Sequence, residues 1–484
     1  MSMASALTNA LSGLTASSRA AEIVSSNISN ALTDGYGRRE LNLSSRTLGN
    51  SGSGVYIDGT SRIVDQVVLN DRRLADASLG NSQTRAGFLG RIENVIGEPG
   101  NPGSLSDRLA ALDTAFINAA SRPDSEPRLQ NVLRTAQGLA GHINKISREI
   151  QTQRTQVDQE ISQQVTQLND SLENIRQLNL SILSQHSSGR DASGLMDQRQ
   201  QLVDQISSIV PMRSIAREKG QIALVTTGGA ILLDGRAAEI GFTGVGLITE
   251  DMTLAAGSLS GLSLNGNPVS TSNNGIMAGG SLSGLFQVRD ELATTAQADL
   301  DAVARDLVER FQNPATDSTL AVGDAGLFTD SGSSFSLINE PGLSTRLSIN
   351  ARVDPVSGGA IWRLRDGIGA VTQGDVGNAS LLQNLSSALT QNRAPLSGGF
   401  SGASRSAAGL SADFLSIIGA EHQFAETEIV FSLSKVNTLK NQELEAGVDT
   451  DHEMQQLLLV EQSFAANARV MQTIDELIQT LIRI

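Results

Sequence analysis

Between residues 457 and 481, apolar side chains return three and four places apart without a break. They are Leu457, Val460, Phe464, Met471, Ile474, Ile478 and Leu481, and Asn467 holds the one polar place. This alternation predicts a helix with a coiled-coil seam, in which a polar member costs stability while fixing register. Spacing alone fits equally a helix packed into its own domain, the commoner arrangement. The front of the chain carries a weaker pattern. Residues 3–33 read as helix, with Leu7, Leu11, Leu14, Ala21 and Ile28 on a narrow stripe padded by Ser and Ala. A helix with so little apolar surface is marginal alone in water.

Residues 36–63 lose the helical beat: ELNLSS alternates, and GSGVYIDG sets turn residues around a short strand. Helical patterning returns from about Val64 to Ile96 and breaks at EPGNPG (98–103). It resumes at about 105–120 and breaks again at RPDSEP (122–127). From Arg128 to about Gln185 there is no proline and glycine occurs only early. Leu129, Leu133, Ala136, Ala140, Ile143, Ile150, Val157, Ile161 and Leu168 keep a heptad-like beat that slips near Leu172. A helix of that length reaches roughly 85 Å. After the turn SSGRDASG (187–194), LMDQRQQLVDQISSIV predicts an amphipathic helix running back.

From Met212 to about Asn274 the pattern is β, with QIALVTT and AILLDG as a hairpin around Gly228-Gly229. Residues 281–312 read as helix. Residues 318–370 read as β again, RLSINARV and AIWRLRD flanking a turn at Ser357-Gly358-Gly359. Helices resume at about 375–392 and 404–446. Glycine follows the same division, with four in residues 104–210 and 28 in residues 211–410; glycine weakens helix interiors. The expected fold is therefore mainly α with an inserted β domain, elongated, rod-shaped and multi-domain. Its long helical bundle runs out and back and leaves both termini at one end. The divisions expected are 1–63 with 447–484, 64–211 with 275–312 and 371–446 as the helical bundle, and 212–274 with 313–370 as a β-rich outer domain.

A net charge of −15 disfavours nucleic acid and anionic membrane as partners, since phosphate binding needs clustered Lys and Arg. With no cysteine, disulfides, thiolate metal sites and cysteine nucleophiles fall away together. The first basic side chain is Arg19 and no long apolar run follows the start, so export is expected by a route without a cleaved signal. Apolar runs such as Leu457–Val460 are too short to span a bilayer. His142, His186, His422 and His452 fall in no metal-ligand spacing, and the first two read as solvated. GSLSG, at 257–261 and 280–284, has Leu where a nucleophile elbow has Ser. Glu250-Asp251 and Asp290-Glu291 read as solvated carboxylates, and Trp362 as a core residue of the β domain. No catalytic residue, cofactor or metal is expected.

One stretch resists that plain reading. In NISNALTDGYGRRE (27–40), Asn27 and Asn30 share a helical face just before Gly35, where neither is a strong helix former. Local helix-stop chemistry accounts for the stretch taken alone. NISNALTDGY also resembles the N-terminal signature of bacterial flagellar axial proteins, usually Asn-Ile-Ala-Asn-Ala-Asn-Thr-Pro-Gly-Tyr. EQSFAANARVMQTIDELIQTLIRI resembles their C-terminal signature. Leu32 stands where the family often has Asn, Asp34 where it usually has Pro, and Phe464 for the common Tyr. NPGSLSDRLAALDTAFINAASRPDSEPRLQNVLRTAQGLAGHI, DASGLMDQRQQLVDQISSIVP and GGSLSGLFQVRDEL are similar to the hook-associated protein 1 family. The likeness covers most of the chain and is weakest in the β insert.

That resemblance implies a structural adaptor of the bacterial flagellum, outside the cell, joining hook to filament. Its terminal helices would pair as a coiled coil lining the axial channel of a ring or tube. Assembly would run through Leu7, Leu11, Leu14, Asn27, Ile28, Asn30, Gly35 and Tyr36 with Leu457, Val460, Phe464, Asn467, Met471, Ile474, Ile478 and Leu481. Partners implied are further copies of the chain, hook protein, the second hook–filament junction protein and an export chaperone on the C-terminal helix. Two alternatives stay open: another axial protein of hook or rod, and a surface-binding module on a helical stalk. The long glycine-poor helices disfavour hook protein.

Overall fold

The computed structural model describes residues 3–48 and 51–483. Helix α1 (Met3–Ser29) leads into an antiparallel hairpin of β1 (Arg38–Leu48) and β2 (Ser51–Ile63), paired from Arg38–Ile63 to Leu48–Ser51. Helix α2 (Gln66–Ile96) begins where the Asp65 carboxylate accepts the amides of Val67 and Val68, and it ends at Gly97. Helix α3 (Leu105–Ser121) is capped by Ser104 on the Asp107 amide. Helix α4 (Glu126–Ser187) has 62 residues, roughly 93 Å at the usual rise. Glu126 in its first turn and His186 in its last stand where the helix dipole favours an acid and a base. Helix α5 (Ser193–Ser207) runs back against α4.

Two small antiparallel sheets follow. One has the order β3 (Met212–Ala216), β4 (Ile222–Thr226), β5 (Ile231–Asp234), β6 (Arg236–Ala237), and β4 turns into β5 at the expected Gly228-Gly229. The other joins β7 (Ile240–Gly241), β8 (Leu262–Leu264) and β9 (Asn267–Val269). Helix α6 (Ser281–Gln287) passes through a π turn (Val288–Leu292) into α7 (Ala293–Phe311). The turn aims the fully buried Arg289 at Asp158 of α4, 2.7 Å away, with Phe242 and Phe286 against its guanidinium. A buried ion pair holds only when its remaining hydrogen bonds are met; Arg289 also donates to Asp290 and to the Ser260 carbonyl.

The expectation of a second β region over 318–370 is corrected. Only β10 (Phe328–Asp330) and β11 (Leu347–Ile349) pair there, over three residues each, with the four-residue helix α8 (Leu343–Arg346) just before β11. AIWRLRD winds into the short helix α9 (Arg363–Asp366). Side chains satisfy this backbone in place of a ladder: Asp317 accepts the amides of Thr319 and Ile368, and Asp354 accepts that of Val356. Trp362 is half-buried against Arg363 and is not a core residue. His142 is buried, not solvated; its Nε2 lies 3.4 Å from the Ile96 carbonyl, and burial pulls its pKa down.

The chain closes with α10 (Ser380–Thr390), α11 (Ala407–Glu445), which lies along α2, and α12 (Thr450–Arg483), which returns to α1. One continuous buried apolar cluster runs from Ala86 to Ala425 through helices and small sheets alike. Among the described residues, α1, β1, β2 and α12 contribute nothing to it. The two ends thus form a unit with a small buried set of its own, including Ala10, Ala16, Ile23, Val24 and Ile474.

Candidate functional site

Helices α1 and α12 pair antiparallel. Asn467 lies over Gly13, the Ser17 hydroxyl donates to Ser463 at 3.3 Å, and Asn27 donates to Glu453 at 3.0 Å. Each step forward on α1 between these contacts equals the step back on α12. That register sets Ala6, Asn9, Gly13, Ala16, Ala20, Ile23 and Asn27 level with Ile474, Met471, Asn467, Phe464, Val460, Leu457 and Glu453. Both lists alternate three and four, as a coiled-coil seam does. On α12, Ile474 is buried, and Leu457, Val460, Asn467 and Met471 are half-buried. Phe464 stays exposed, as do Ile478 and Leu481, which run past the start of α1.

The leucine stripe expected on α1 is not the face that meets α12. Leu7 and Leu11 are 37% and 53% exposed; Leu14 and Ile28 are half-buried. Helix α1 serves two neighbours. A second face meets the hairpin, where Ser12 accepts the Val55 amide. Leu7 and Leu11 are left on the open side. The true seam is made of small and polar residues, so hydrophobicity does not mark it.

At the end of α1, Asn27 is 1% exposed and uses every hydrogen-bonding position of its amide. Its Nδ2 donates to the Arg39 carbonyl (2.9 Å) and to Glu453 (3.0 Å). Its Oδ1 accepts from the Tyr36 hydroxyl (2.8 Å) and the Arg39 amide (3.0 Å). One side chain therefore ties α1, the turn, β1 and α12 together. Burial pushes the Tyr36 phenol up from its usual value, keeping it a donor. Asn30 does less: it bonds the Ser26 carbonyl one turn back and a nearby Thr33. Gly35 has φ +78°, and a Cβ there would lie 2.7 Å from Gln201 of α5. It is needed both for the turn and for the close pass over the bundle.

A second carboxylate fastens this unit to the bundle. Asp197 of α5 accepts the Gly37 amide (3.0 Å) and pairs with Arg39 (2.8 Å) and Arg62 (2.7 Å), one from each hairpin strand. Arg62 also bonds Gln200 and the Gly35 carbonyl, and Gln201 donates to the Asp34 carbonyl. Nearby, Arg72 and Arg73 of α2 clasp Asp204 of α5, and Arg72 reaches Glu443 of α11. Burial pushes the carboxyl groups of Glu443 and Asp76 up, with Arg72 pulling the other way. Neither Asp197 nor Glu453 was found by sequence reasoning. The available signal was the basic cluster Arg38, Arg39 and Arg62 bracketing a hairpin in an acidic chain.

Between the terminal unit and the bundle lies a crease of about 480 Å³, bordered by Leu32, Asp34, Tyr36, Arg72, Lys440 and Leu444. Among the described residues, no three His, Cys, Asp or Glu side chains gather as metal ligands. No helix there is long and apolar enough to cross a membrane.

Comparison with known proteins places the chain. The flagellar hook-associated protein FlgK helical domain matches residues 89–327. The flagella basal body rod protein family matches 7–36, and the flagellar basal body rod FlgEFG protein C-terminal family matches 444–484. The matches at the two ends take in most of α1 and all of α12. Flagellar hook-associated protein 1 of Salmonella typhimurium is 29% identical over 49% of this chain and 44% of its own length. The match thus spans under half of that relative. The protein of the same name from Bacillus subtilis is 24% identical over 98% of this chain and 97% of its own. The flagellar hook junction protein FlgK from Burkholderia pseudomallei is similar over 54% of this chain and 47% of that one, at 19% identity and a TM-score of 0.45.

Proposed function

This chain belongs to the flagellar hook-associated protein 1 family, and from that premise we propose that it is the structural adaptor between hook and filament. It acts by packing and register, and not as an enzyme. The observation that carries this reading is the apolar surface left open on the paired ends. Leu7 and Leu11 of α1 and Leu458, Leu459, Leu477 and Leu481 of α12 are exposed, though they belong to helices already paired. Several large apolar side chains left open on one paired unit are surface for an interaction. Neighbouring copies in a ring or tube cover it, with α1 and α12 toward the channel and the bundle as outer wall.

The interface expected from sequence then divides in two. Asn27, Gly35, Tyr36, Leu457, Asn467 and Ile474 shape the unit within one chain. Leu7, Leu11, Phe464, Ile478 and Leu481 are free to meet other copies. Residues 1–63 with 447–484 form the inner part. Hook protein and the second junction protein are the partners above and below, and an export chaperone covers α12 beforehand.

Electron microscopy of cells lacking this protein, with flagellin assayed in the medium, tests the reading. Hooks without filaments and flagellin lost to the medium are expected. Absent hooks would move the protein to the rod or hook, and normal filaments would overturn the reading.

A further inference from the structure

We infer that the register of the terminal pair is set by a notch and a pin: Gly13 is the notch on α1, and Asn467 of α12 is the pin that only this register admits. A Cβ built on Gly13 would lie 2.7 Å from the Asn467 amide nitrogen and 2.8 Å from its oxygen. Any other residue at position 13 would press its Cβ on the far end of the Asn467 side chain, which would have to turn away and leave its place. Asn467 is held in place by its own helix, its Nδ2 donating to the Ser463 carbonyl at 3.0 Å. Ser463 in turn accepts from Ser17 of α1.

A slip of one heptad along the seam shows why the fit is selective. In one direction Asn467 moves level with Ala20, in the other with Ala6, and each places a methyl group where the notch has none. The first slip also moves Asn27 from Glu453 to Val460. A buried amide would then lose a partner, and Glu453, 3% exposed, would be drawn away from both Asn27 and Arg38, whose guanidinium is 3.9 Å away in the native register. Apolar burial contributes little to this choice. The α1 seam is Ala, Asn, Gly, Ala, Ala, Ile and Asn, so in a heptad slip Ile23 is its only large apolar member to change partner. Polar and steric contacts therefore carry the register, in the way a single buried Asn specifies a coiled coil.

This inference rests on the pairing within one chain and not on the junction reading, so the two can fail separately. The chain has no cysteine, so engineered cysteine pairs report without background. In the purified full-length chain, Ser17→Cys with Ser463→Cys should close on brief, mild oxidation. Ser17→Cys with Val470→Cys, one heptad out, should not. Adding Gly13→Leu should lower the in-register disulfide about tenfold, the ratio that follows from one misplaced buried contact. Leu favours helix over Gly, so that loss cannot come from unwinding α1. Shortening the pin with Asn467→Ala in the same chain should restore the in-register disulfide. An in-register yield unmoved by Gly13→Leu, no recovery with Asn467→Ala, or equal closure of the two cysteine pairs at the outset would each overturn the notch and pin.

Discussion

The Asn27 amide and the Glu453 carboxylate stand 426 positions apart in the chain and 3.0 Å apart in space, both buried. Through this contact the first helix, the hairpin and the last helix become one unit. Asn27 is a hub for reasons of valence, since its buried amide serves two donors and two acceptors at once. The contact also fixes which part of α12 begins the pair.

The two asparagines that share a helical face should therefore differ sharply. Asn27→Ala leaves the Arg39 amide and Glu453 without their partner and should cost about 2 kcal/mol of local stability. Asn30→Ala removes a short-range bond at a half-exposed position and should cost below about 1 kcal/mol. Hydrogen exchange at the amides of α1 and β1 measures both. Equal effects from the two changes would remove Asn27 from the centre of the site.

Asp197 should govern how firmly the ends sit on the bundle. Asp197→Ala leaves Arg39 and Arg62 facing each other without a counter-ion and should loosen the hairpin by about 2 kcal/mol. The buried cluster of the bundle should stay intact, because none of these residues belongs to it. Faster exchange at the Gly37 amide with unchanged exchange in α4 is the expected pattern. Unchanged exchange at Gly37 would contradict it.

The ends should also be the first part to yield to protease. Among the described residues, those of the two ends share no buried apolar cluster with the rest, and their open apolar faces lack neighbours in the isolated chain. Limited proteolysis should trim both ends while α4 survives. Ends as resistant as α4 would count against an assembly that completes them.

Acidification should strengthen the clasp between α2 and α11. The carboxyl groups of Asp76 and Glu443 are pushed up by burial. The folded protein thus keeps their protons to a higher pH than the unfolded chain does. Their contribution is present at low pH and is lost as pH rises through the folded values. Exchange in α11 should slow as pH falls toward the ordinary carboxylate range, after correction for the intrinsic rate. Glu443→Gln should flatten that response, and a response unchanged by it would assign the effect elsewhere.

Much of the architecture was legible in the sequence, because long helices declare themselves. The proline-free run from Arg128 became α4; the break at 98–103 fell between helices, and that at 122–127 ended inside the first turn of α4, where Pro127 is tolerated. The α12 seam was legible too, since Leu457, Val460, Met471 and Ile474 are large and apolar. Its mate on α1 was not: Ala6, Gly13 and Ala20 carry no hydrophobic signal, and Leu7 and Leu11 drew the reading to the wrong face. Asn27 stood out because an amide is unusual in a helix interior. Asp197 and Glu453 did not, since a carboxylate on a helix most often faces water and only the fold brings two arginines to it. The region 318–370 was misread as β because turns held by Asp317 and Asp354 share the Gly- and Ser-rich composition of hairpins.

The most direct measurement is filament formation in cells that lack this protein and are complemented with Asn27→Ala or, in parallel, with Asn30→Ala. If the paired ends build the junction, Asn27→Ala should leave hooks bare and flagellin in the medium, with the variant still produced at normal level, while Asn30→Ala restores filaments. Full-length filaments on Asn27→Ala cells would contradict the account, because the contact joining the two ends would then be dispensable to assembly.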